Sequence, residues 1–430
     1  MTMDMIIVLL LLVFVVVALL THVIPYGVAG MICCVMLVLT GVFTIEESFA
    51  SMSSGNCIMV ACMIVVASAL GKLSFIKKLQ AKMQQMKGTK GILLLLIIFG
   101  FTILLSQFMG STACLSIMVL LVQALDPDSE IQPGRIFFVV AVMNCLWVSR
   151  IPIGMGVAMT GIINSLYSGI GGPENMLTTA DFLKVGIIPS IIGTVYCLLF
   201  YRLIPKTVMN EAAAPAGAQK KDEPPLSPVG EAVIWAVFIA VTVGFMFQDV
   251  VGSNISNIIP AAGVLVMILF KVLPVKQVTA TLSSDMIFMV IGMQTMSSAL
   301  SATGVDKLIG EGVLRILGSN PSGIMVVVVF CLVATVMTNF MNNMGTMSVL
   351  IPIAASTAIA GGYNVRNVVL VVAATAWMMA FVLPTGSSAA IMGFGMGNHN
   401  PLKTMKFTLP LIVILVVSLI ISANIFYPIM

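Results

Sequence analysis

The chain has 430 residues, of which 60% are hydrophobic and only 8% are charged, with a mean hydropathy of +1.14. A soluble domain has about 25% charged residues, so this composition excludes a soluble globular protein and indicates a polytopic, all-α membrane protein. The net charge of +4 says little by itself, whereas the positions of the charges along the chain predict its orientation. No nucleic-acid partner is expected.

Apolar runs near the ~20 residues needed to cross a bilayer recur along the chain. The first run has no basic segment before it and continues to full membrane length, so it is predicted to be a span and not a cleaved signal sequence. We predict about ten transmembrane helices, at residues 5–21, 25–42, 54–71, 136–167, 182–202, 229–248, 256–272, 284–303, 367–396 and 407–427.

Two further apolar segments, residues 91–125 and 322–356, contain 35 residues each. This is too few for two full crossings, and one straight helix of that length would be about 52 Å long, well beyond the ~30 Å hydrocarbon core. Both have polar residues near the middle, and the second contains the amides Asn339, Asn342 and Asn343. Polar groups at membrane depth are costly unless they line a cavity or bind a ligand. We therefore predict two re-entrant hairpins of half-helices with buried polar tips.

The basic residues orient this topology. Fifteen of the 20 lysines and arginines fall on one side of it and four on the other, with Arg150 inside the membrane. The positive-inside rule then places the N- and C-termini outside. Lys77, Lys78 and Lys82 are predicted to lie on an amphipathic helix at the cytoplasmic surface. A compact chain without a long N-terminal extension suits a bacterial inner membrane.

Residues 205–228 are polar and rich in Ala and Pro, which is typical of a flexible cytoplasmic linker. The linker separates residues 1–204 from residues 229–430, each with five crossings and one hairpin. Since five is odd, the second half must run opposite to the first, and such inverted repeats are common in secondary transporters. The halves also match in sequence, at Ala67–Leu70 with Ser297–Leu300 (offset 230), Gln107–Met109 with Asn339–Met341 (offset 232) and Val139–Gly154 with Val371–Gly386 (offset 232).

Proline and glycine interrupt both long spans near their middles, at Pro152-Ile-Gly154 and Pro384-Thr-Gly386. Proline removes a helix donor and glycine relaxes the backbone, so we predict that both helices break at depth. A break frees N–H groups that attract anions and carbonyls that coordinate cations. The alternative is a simple proline kink in each span.

These features resemble the divalent anion/sodium symporter (DASS) family of the ion transporter superfamily, which includes the INDY-type dicarboxylate carriers. The resemblance rests on the two hairpin tips, the two broken spans and the turn Gly41-Val-Phe-Thr-Ile-Glu-Glu-Ser-Phe-Ala50, and it covers nearly the whole chain. It implies a homodimer in which each subunit has a scaffold domain and a transport domain that moves by an elevator mechanism. It also implies a substrate site between the hairpin tips, flanked by two sodium sites.

In that family each tip carries Ser-Asn-Thr and each broken helix a Thr/Ser-Pro-Pro-Asn-like turn. Here the first tip is Gly110-Ser111-Thr112, which has no amide, the second is Asn342-Asn343-Met344, and neither turn has Pro-Pro-Asn. With Arg150 added for its depth, the predicted substrate-binding residues are Ser111, Thr112, Arg150, Asn342, Asn343, Thr385, Ser387 and Ser388. The predicted cation-binding residues are Gly110, Ser111, Pro152, Gly154, Asn343, Thr346 and Gly386. Sodium is the implied coupling ion, and no transition metal or other cofactor is expected.

Arg150 follows Arg135 by 15 residues, about 22 Å along a helix, and a charge at such depth indicates a functional site. Three interpretations are open: an ion pair with a carboxylate, contact with an anionic substrate, and a guanidinium that takes the place of a bound sodium. Asp285 opens a span, where it either caps the helix or couples protons. Asn144 and Asn164 are interpreted as hydrogen-bond partners between helices rather than as ligands.

The predicted function is secondary transport of a small anion, a di- or tricarboxylate, by sodium or proton symport. The alternatives are a proton-coupled or exchange transporter or exporter of an oxyanion such as sulfate, and an anion channel. The sequence contains no His-Glu-x-x-His, no paired membrane aspartates and no Gly-x-Ser-x-Gly, so we expect no enzyme activity.

Overall fold

The computed structural model describes residues 1–21, 24–70, 72–74, 92–122, 132–209, 226–246, 252–318, 321–340 and 342–430. Within these ranges all regular structure is helical, which confirms the predicted all-α fold class. The predicted surface helix around Lys77 and most of the predicted linker, residues 210–225, lie outside the described residues.

Each unbroken span predicted in the first half falls on a single helix. The helices of this half are α1 (Met3–Thr21), α2 (Tyr26–Leu39), α3 (Ile45–Phe49), α4 (Gly55–Leu70), α5 (Ile92–Phe108), α6 (Ser111–Val122), α7 (Pro133–Trp147), α8 (Met155–Gly171) and α9 (Asp181–Phe200). Short 3₁₀ helices lie at Ala50–Ser53, Pro173–Asn175 and Tyr201–Leu203.

The second half has a corresponding order of elements. Its helices are α10 (Pro228–Met246), α11 (Ser253–Leu269), α12 (Val275–Leu282), α13 (Asp285–Thr303), α14 (Val305–Leu317), α15 (Gly323–Phe340), α16 (Asn343–Ala360), α17 (Val365–Met378), α18 (Ser388–Gly397) and α19 (Pro401–Phe426).

The chain is an integral membrane protein. Among the described residues, six helical stretches are long and apolar enough to cross a bilayer, and shorter apolar helices accompany them. Large apolar side chains such as Leu199, Val413 and Ile421 are exposed on the outside of the fold. Lipid cannot hydrogen-bond to backbone N–H and C=O groups. A lipid-facing surface therefore requires helices, in which these groups bond to one another. The number of crossings and the orientation of the termini stay predictions.

The two predicted hairpins are pairs of helices separated by two residues each, and the helices of the second pair are longer than half-helices. Only residues 109 and 110 separate α5 from α6, and residues 341 and 342 separate α15 from α16. The second pair has 18 residues in each helix, about 27 Å, because α16 continues to Ala360, beyond the predicted end of the segment at residue 356. Both helices of this pair are therefore long enough to cross, and re-entry of either hairpin stays a prediction.

Both long spans are broken where the proline–glycine turns predict it. Residues 148–154 separate α7 from α8, and residues 379–387 separate α17 from α18. We call these segments the first and second breaks. The first break contains two residues with positive φ, Ser149 at 54° and Gly154 at 53°. A non-glycine residue rarely adopts such a conformation, so Ser149 marks local backbone strain.

The breaks and hairpin tips come together because the halves interlock. The second hairpin helix of each half packs on the helix that follows the break of the other half, α6 on α18 and α16 on α8. Helix α7 also packs on α18, where Gly393 lets the Ala141 methyl approach to within 2.7 Å of where a Cβ would stand. The two breaks therefore lie where helices of both halves pack against each other.

The described start of the predicted linker is held against the ends of both broken spans. The Thr207 hydroxyl donates to the carbonyl oxygen of Gly397 over 2.7 Å and lies 3.2 Å from His399 Nε2. His399 Nε2 in turn lies 3.0 Å from the carbonyl oxygen of Gly134 at the start of α7. This contact fixes the position at which the chain leaves the first half.

Candidate substrate and cation site

A glutamine joins the first hairpin tip to the first break. Gln107 lies in the last turn of α5 and is almost fully buried. Its Nε2 donates to the Trp147 carbonyl over 2.7 Å, and its Oε1 accepts from the Ile151 N–H over 3.0 Å. The amide therefore pairs with the carbonyl that ends α7 and with an N–H that the break leaves outside any helix.

An asparagine makes the equivalent contacts in the second half. Asn339 Nδ2 donates to the Met379 carbonyl over 2.9 Å, and Asn339 Oδ1 accepts from the N–H groups of Val382 and Leu383 over 2.9 and 3.3 Å. The Asn339 carbonyl also accepts from the Thr385 hydroxyl over 2.6 Å. This amide joins the end of α15 to the second break.

The partners of the two amides are themselves equivalent. Met379 stands 232 residues after Trp147 and Leu383 stands 232 residues after Ile151, the same offset that separates Gln107 from Asn339. Backbone groups freed at membrane depth must find a partner, and each half uses the same device to supply one. We call the two arrangements the amide clamps. The predicted site residues do not include Gln107 or Asn339, although the sequence match between the halves paired them.

The predicted residues of the first half come together only in part. Gly154 lies against Gln107, whose carbonyl oxygen is 3.2 Å from where a Gly154 Cβ would stand. Pro152 is half-buried in the same break, while Gly110 and Thr112 are exposed at the tip and Ser111 is half-buried there. Among the described residues, the structure gives no hydrogen bond from the Ser111 or Thr112 side chain to the first break.

The predicted residues of the second half form a tighter cluster. With its amide oriented to satisfy its neighbours, Asn343 Nδ2 donates to the carbonyls of Gly386 and Ala376 over 3.0 and 3.2 Å. Asn342 Oδ1 caps α16 by accepting from the Gly345 N–H over 2.8 Å. Thr346, one turn into α16, is buried, and its hydroxyl has no described hydrogen-bond partner.

The second break closes on itself through Ser387. Its hydroxyl donates to the Ala380 carbonyl over 2.8 Å and accepts from the Ala390 N–H over 3.0 Å, which caps α18. Ser388, the first residue of α18, is exposed. The Cys145 thiol on α7 lies 3.6 Å from the Ser387 hydroxyl, so the broken spans of the two halves touch at the second break.

Arg150 lies in the first break, and its side chain packs against α9. Its guanidinium lies over the Phe182 ring, 4.2 Å from the ring centroid, and against Gly186 on α9. The side chain is fully buried, and none of its three nitrogens has a hydrogen-bond partner among the described residues. Its charge stands three residues after the end of α7, where the helix dipole favours a cation. The structure gives it no carboxylate partner in the described part of the chain.

Helix ends give this region its electrostatic character. Helices α6 and α16 begin at the two tips and direct N–H groups there, which favours an anion. Helices α7 and α17 end at the breaks and leave carbonyls there, which favours a cation. Among the described residues, no group of three or more His, Cys, Asp or Glu side chains is placed so that it could hold a metal ion. Neutral oxygens are therefore the ligands that these residues offer.

Comparison with known proteins assigns the chain to a transporter family. The family model described as citrate transporter (CitMHS) matches residues 9–259 and 242–430, which together are nearly the whole chain. The chain belongs to the CitMHS family. It is a membrane transporter, whereas specific membership of the DASS family stays a resemblance. An uncharacterized transporter of Synechocystis sp., sll0640, is 26% identical over 154 residues, which are 36% of this CitMHS chain but only 25% of that protein.

Two solved transporters have a similar fold. The YdaH transporter of Alcanivorax borkumensis matches 91% of this CitMHS chain and 88% of its own, with a TM-score of 0.58 and 10% sequence identity. MtrF of Neisseria gonorrhoeae, one of a class of antimetabolite efflux pumps, matches 99% of this chain and 95% of its own, with a TM-score of 0.62 and 13% identity. At these identities the likeness concerns the fold alone.

Replacing Gln107 with leucine tests the first amide clamp. The Gln107→Leu variant leaves the Ile151 N–H without its partner, and an unsatisfied buried group costs about 1–3 kcal/mol. We expect a thermal unfolding midpoint several degrees below wild type in detergent, and loss of transport. Gln277→Leu is the matched control, because Gln277 accepts from the Lys72 ammonium at the edge of the fold, and it should change neither property. Wild-type stability and transport in Gln107→Leu would contradict the clamp.

Proposed function

We propose that this chain is a secondary active transporter of a small di- or tricarboxylate, with citrate as the first candidate, driven by sodium or proton symport. The observation that carries the proposal is the pair of amide clamps, which hold a hairpin tip against a broken helix in each half. Membership of the CitMHS family supports citrate as the cargo. Two helix N-termini at the tips suit its carboxylates, and carbonyl-ending helices at the breaks suit a coupling cation.

The roles of the predicted residues follow from these helix ends. The tip residues Ser111, Thr112, Asn342 and Asn343 and the second-break residues Thr385, Ser387 and Ser388 would contact the substrate. Gly110, Ser111, Pro152 and Gly154 in the first half, and Asn343, Thr346 and Gly386 in the second, would bind the cation. By resemblance to the DASS family we further propose a homodimer, an elevator-type movement and a bacterial inner membrane.

Export, or an oxyanion such as sulfate as the cargo, is the second candidate. It is favoured by the fold shared with the efflux pump MtrF and by a first tip that has no amide.

Counterflow separates these functions. Liposomes containing the purified chain and preloaded with unlabelled citrate should accumulate labelled citrate above equilibrium, because a carrier exchanges one molecule for another at the same site. We expect the accumulation to depend on sodium or on protons. Equilibration without overshoot would identify a channel and contradict the proposal. Overshoot with sulfate but not with citrate or succinate would instead support the second candidate.

We propose that the fixed positive charge of Arg150 weakens cation binding at the first break, because like charges repel. It lies just beyond the carbonyl end of α7, and the equivalent position in the second half is the neutral Val382. The Arg150→Gln variant should therefore take up citrate with a stronger dependence on sodium than wild type. Arg150→Lys keeps the charge and should resemble wild type. Unchanged uptake and unchanged cation dependence in Arg150→Gln would contradict this role.

A further inference from the structure

In each half one buried amide lies between the hairpin and the broken span, but the amide belongs to the hairpin in the second half and to the broken span in the first. At an offset of 232 residues, Ser111 on the first hairpin corresponds to Asn343, and Asn144 on the first broken span corresponds to Ala376. In the second half the Asn343 amide crosses from hairpin to span and donates to the Ala376 carbonyl. In the first half the hairpin offers only a serine, and the amide comes from the span.

This amide, Asn144, has no nitrogen or oxygen hydrogen-bond partner among the described residues. It is completely buried, and both Nδ2 and Oδ1 are unpaired. Its polar neighbour on α6 is the Cys114 thiol, and a thiol is only a weak donor and acceptor. Cys114 lies three residues after Ser111, so both project from one face of α6. Asn164 on α8 shows the ordinary alternative, since both of its amide atoms pair with the Leu177 backbone at 2.9 Å.

The surroundings of Asn144 favour a monovalent cation as its missing partner. Asn144 lies in the last turn of α7, where the terminal carbonyls give the helix a negative end. Amide and carbonyl oxygens coordinate hard cations, and carbonyls at unwound helices coordinate sodium in transporters. A divalent ion would need charged ligands, and the described residues offer no cluster of them.

We propose that Asn144 Oδ1 is a ligand of a monovalent coupling cation at the first break. The amide that the first tip lacks is thus replaced from the facing helix, and the site consists of Asn144, the tip residue Ser111 and the carbonyls of the break. The inference rests on the proposed cation-coupled transport, and it adds a ligand that the sequence alone assigned to helix packing.

Thermal unfolding of the purified full-length chain tests this ligand. The midpoint is measured in sodium chloride and in choline chloride at equal ionic strength, for wild type, Asn144→Leu and Asn164→Leu. Leucine has nearly the shape of asparagine, and replacing an unpaired buried amide by an apolar group need not destabilise the protein. Asn144→Leu should therefore unfold no lower than wild type in choline, while its sodium-induced shift falls to half or less. The second break retains its own cation site and the remaining shift.

The Asn164→Leu variant is the control for a purely structural loss. Asn164→Leu should lower the midpoint equally in both salts and keep the full sodium shift, since it loses a purely structural pair. The inference is overturned if Asn144→Leu keeps the wild-type sodium shift, or if wild type shows no shift with lithium, sodium or potassium. A shift that depends on Asn144 but follows citrate and not the cation also overturns it. Cation-independent citrate counterflow by wild type would leave the carrier standing while this inference fails.

Discussion

Backbone groups released at membrane depth are the constraint on which this structure depends. Each broken span leaves N–H and C=O groups that lipid cannot satisfy. Gln107 and Asn339 satisfy them from the last turn of the hairpin helix beside each break. Because one amide both donates to the end of one helix and accepts from the loop beyond it, the tip and the break are held as one unit. The helix ends that would bind an anion and a cation therefore face the same region.

The two halves differ in the polar residues at their breaks. The second clamp is reinforced by Asn343, which bonds to the Gly386 carbonyl. The first half has Ser111 at that position, an unpaired Asn144 on the facing helix and the buried charge of Arg150 in the break. If both halves bound the same ligand in the same way, the same residue types would be expected at equivalent positions. Here the first break contains the fixed positive charge of Arg150 and lies beside the unpaired Asn144 amide. The two halves are therefore expected to contribute unequally to cation coupling.

The sequence predicts the breaks well and their contacts poorly. Proline and glycine act locally, so Pro152, Gly154, Pro384 and Gly386 were enough to locate both interruptions. Helix α16 continues past residue 356, the predicted end of the segment, because nothing in Ser356–Ala360 stops a helix. The direction of Arg150 and the unpaired state of Asn144 depend on which helices pack against α7. Such long-range contacts leave no local signature, although the repeated Gln-Phe-Met and Asn-Phe-Met already marked the clamp residues.

If both hairpin tips and both breaks enclose one substrate site, bound citrate should shield residues beside them, and cysteine labelling measures this shielding. All eight native cysteines are buried, whereas Ala113 beside the first tip, Ser388 at the second break and Ser53 elsewhere are exposed. Single cysteines at these positions are labelled with a maleimide with and without citrate, after each variant is shown to keep its citrate-induced thermal shift. We expect citrate to slow labelling at positions 113 and 388 at least about threefold and to leave labelling at position 53 unchanged. Equal rates with and without citrate at either tip-side position would contradict one shared substrate site.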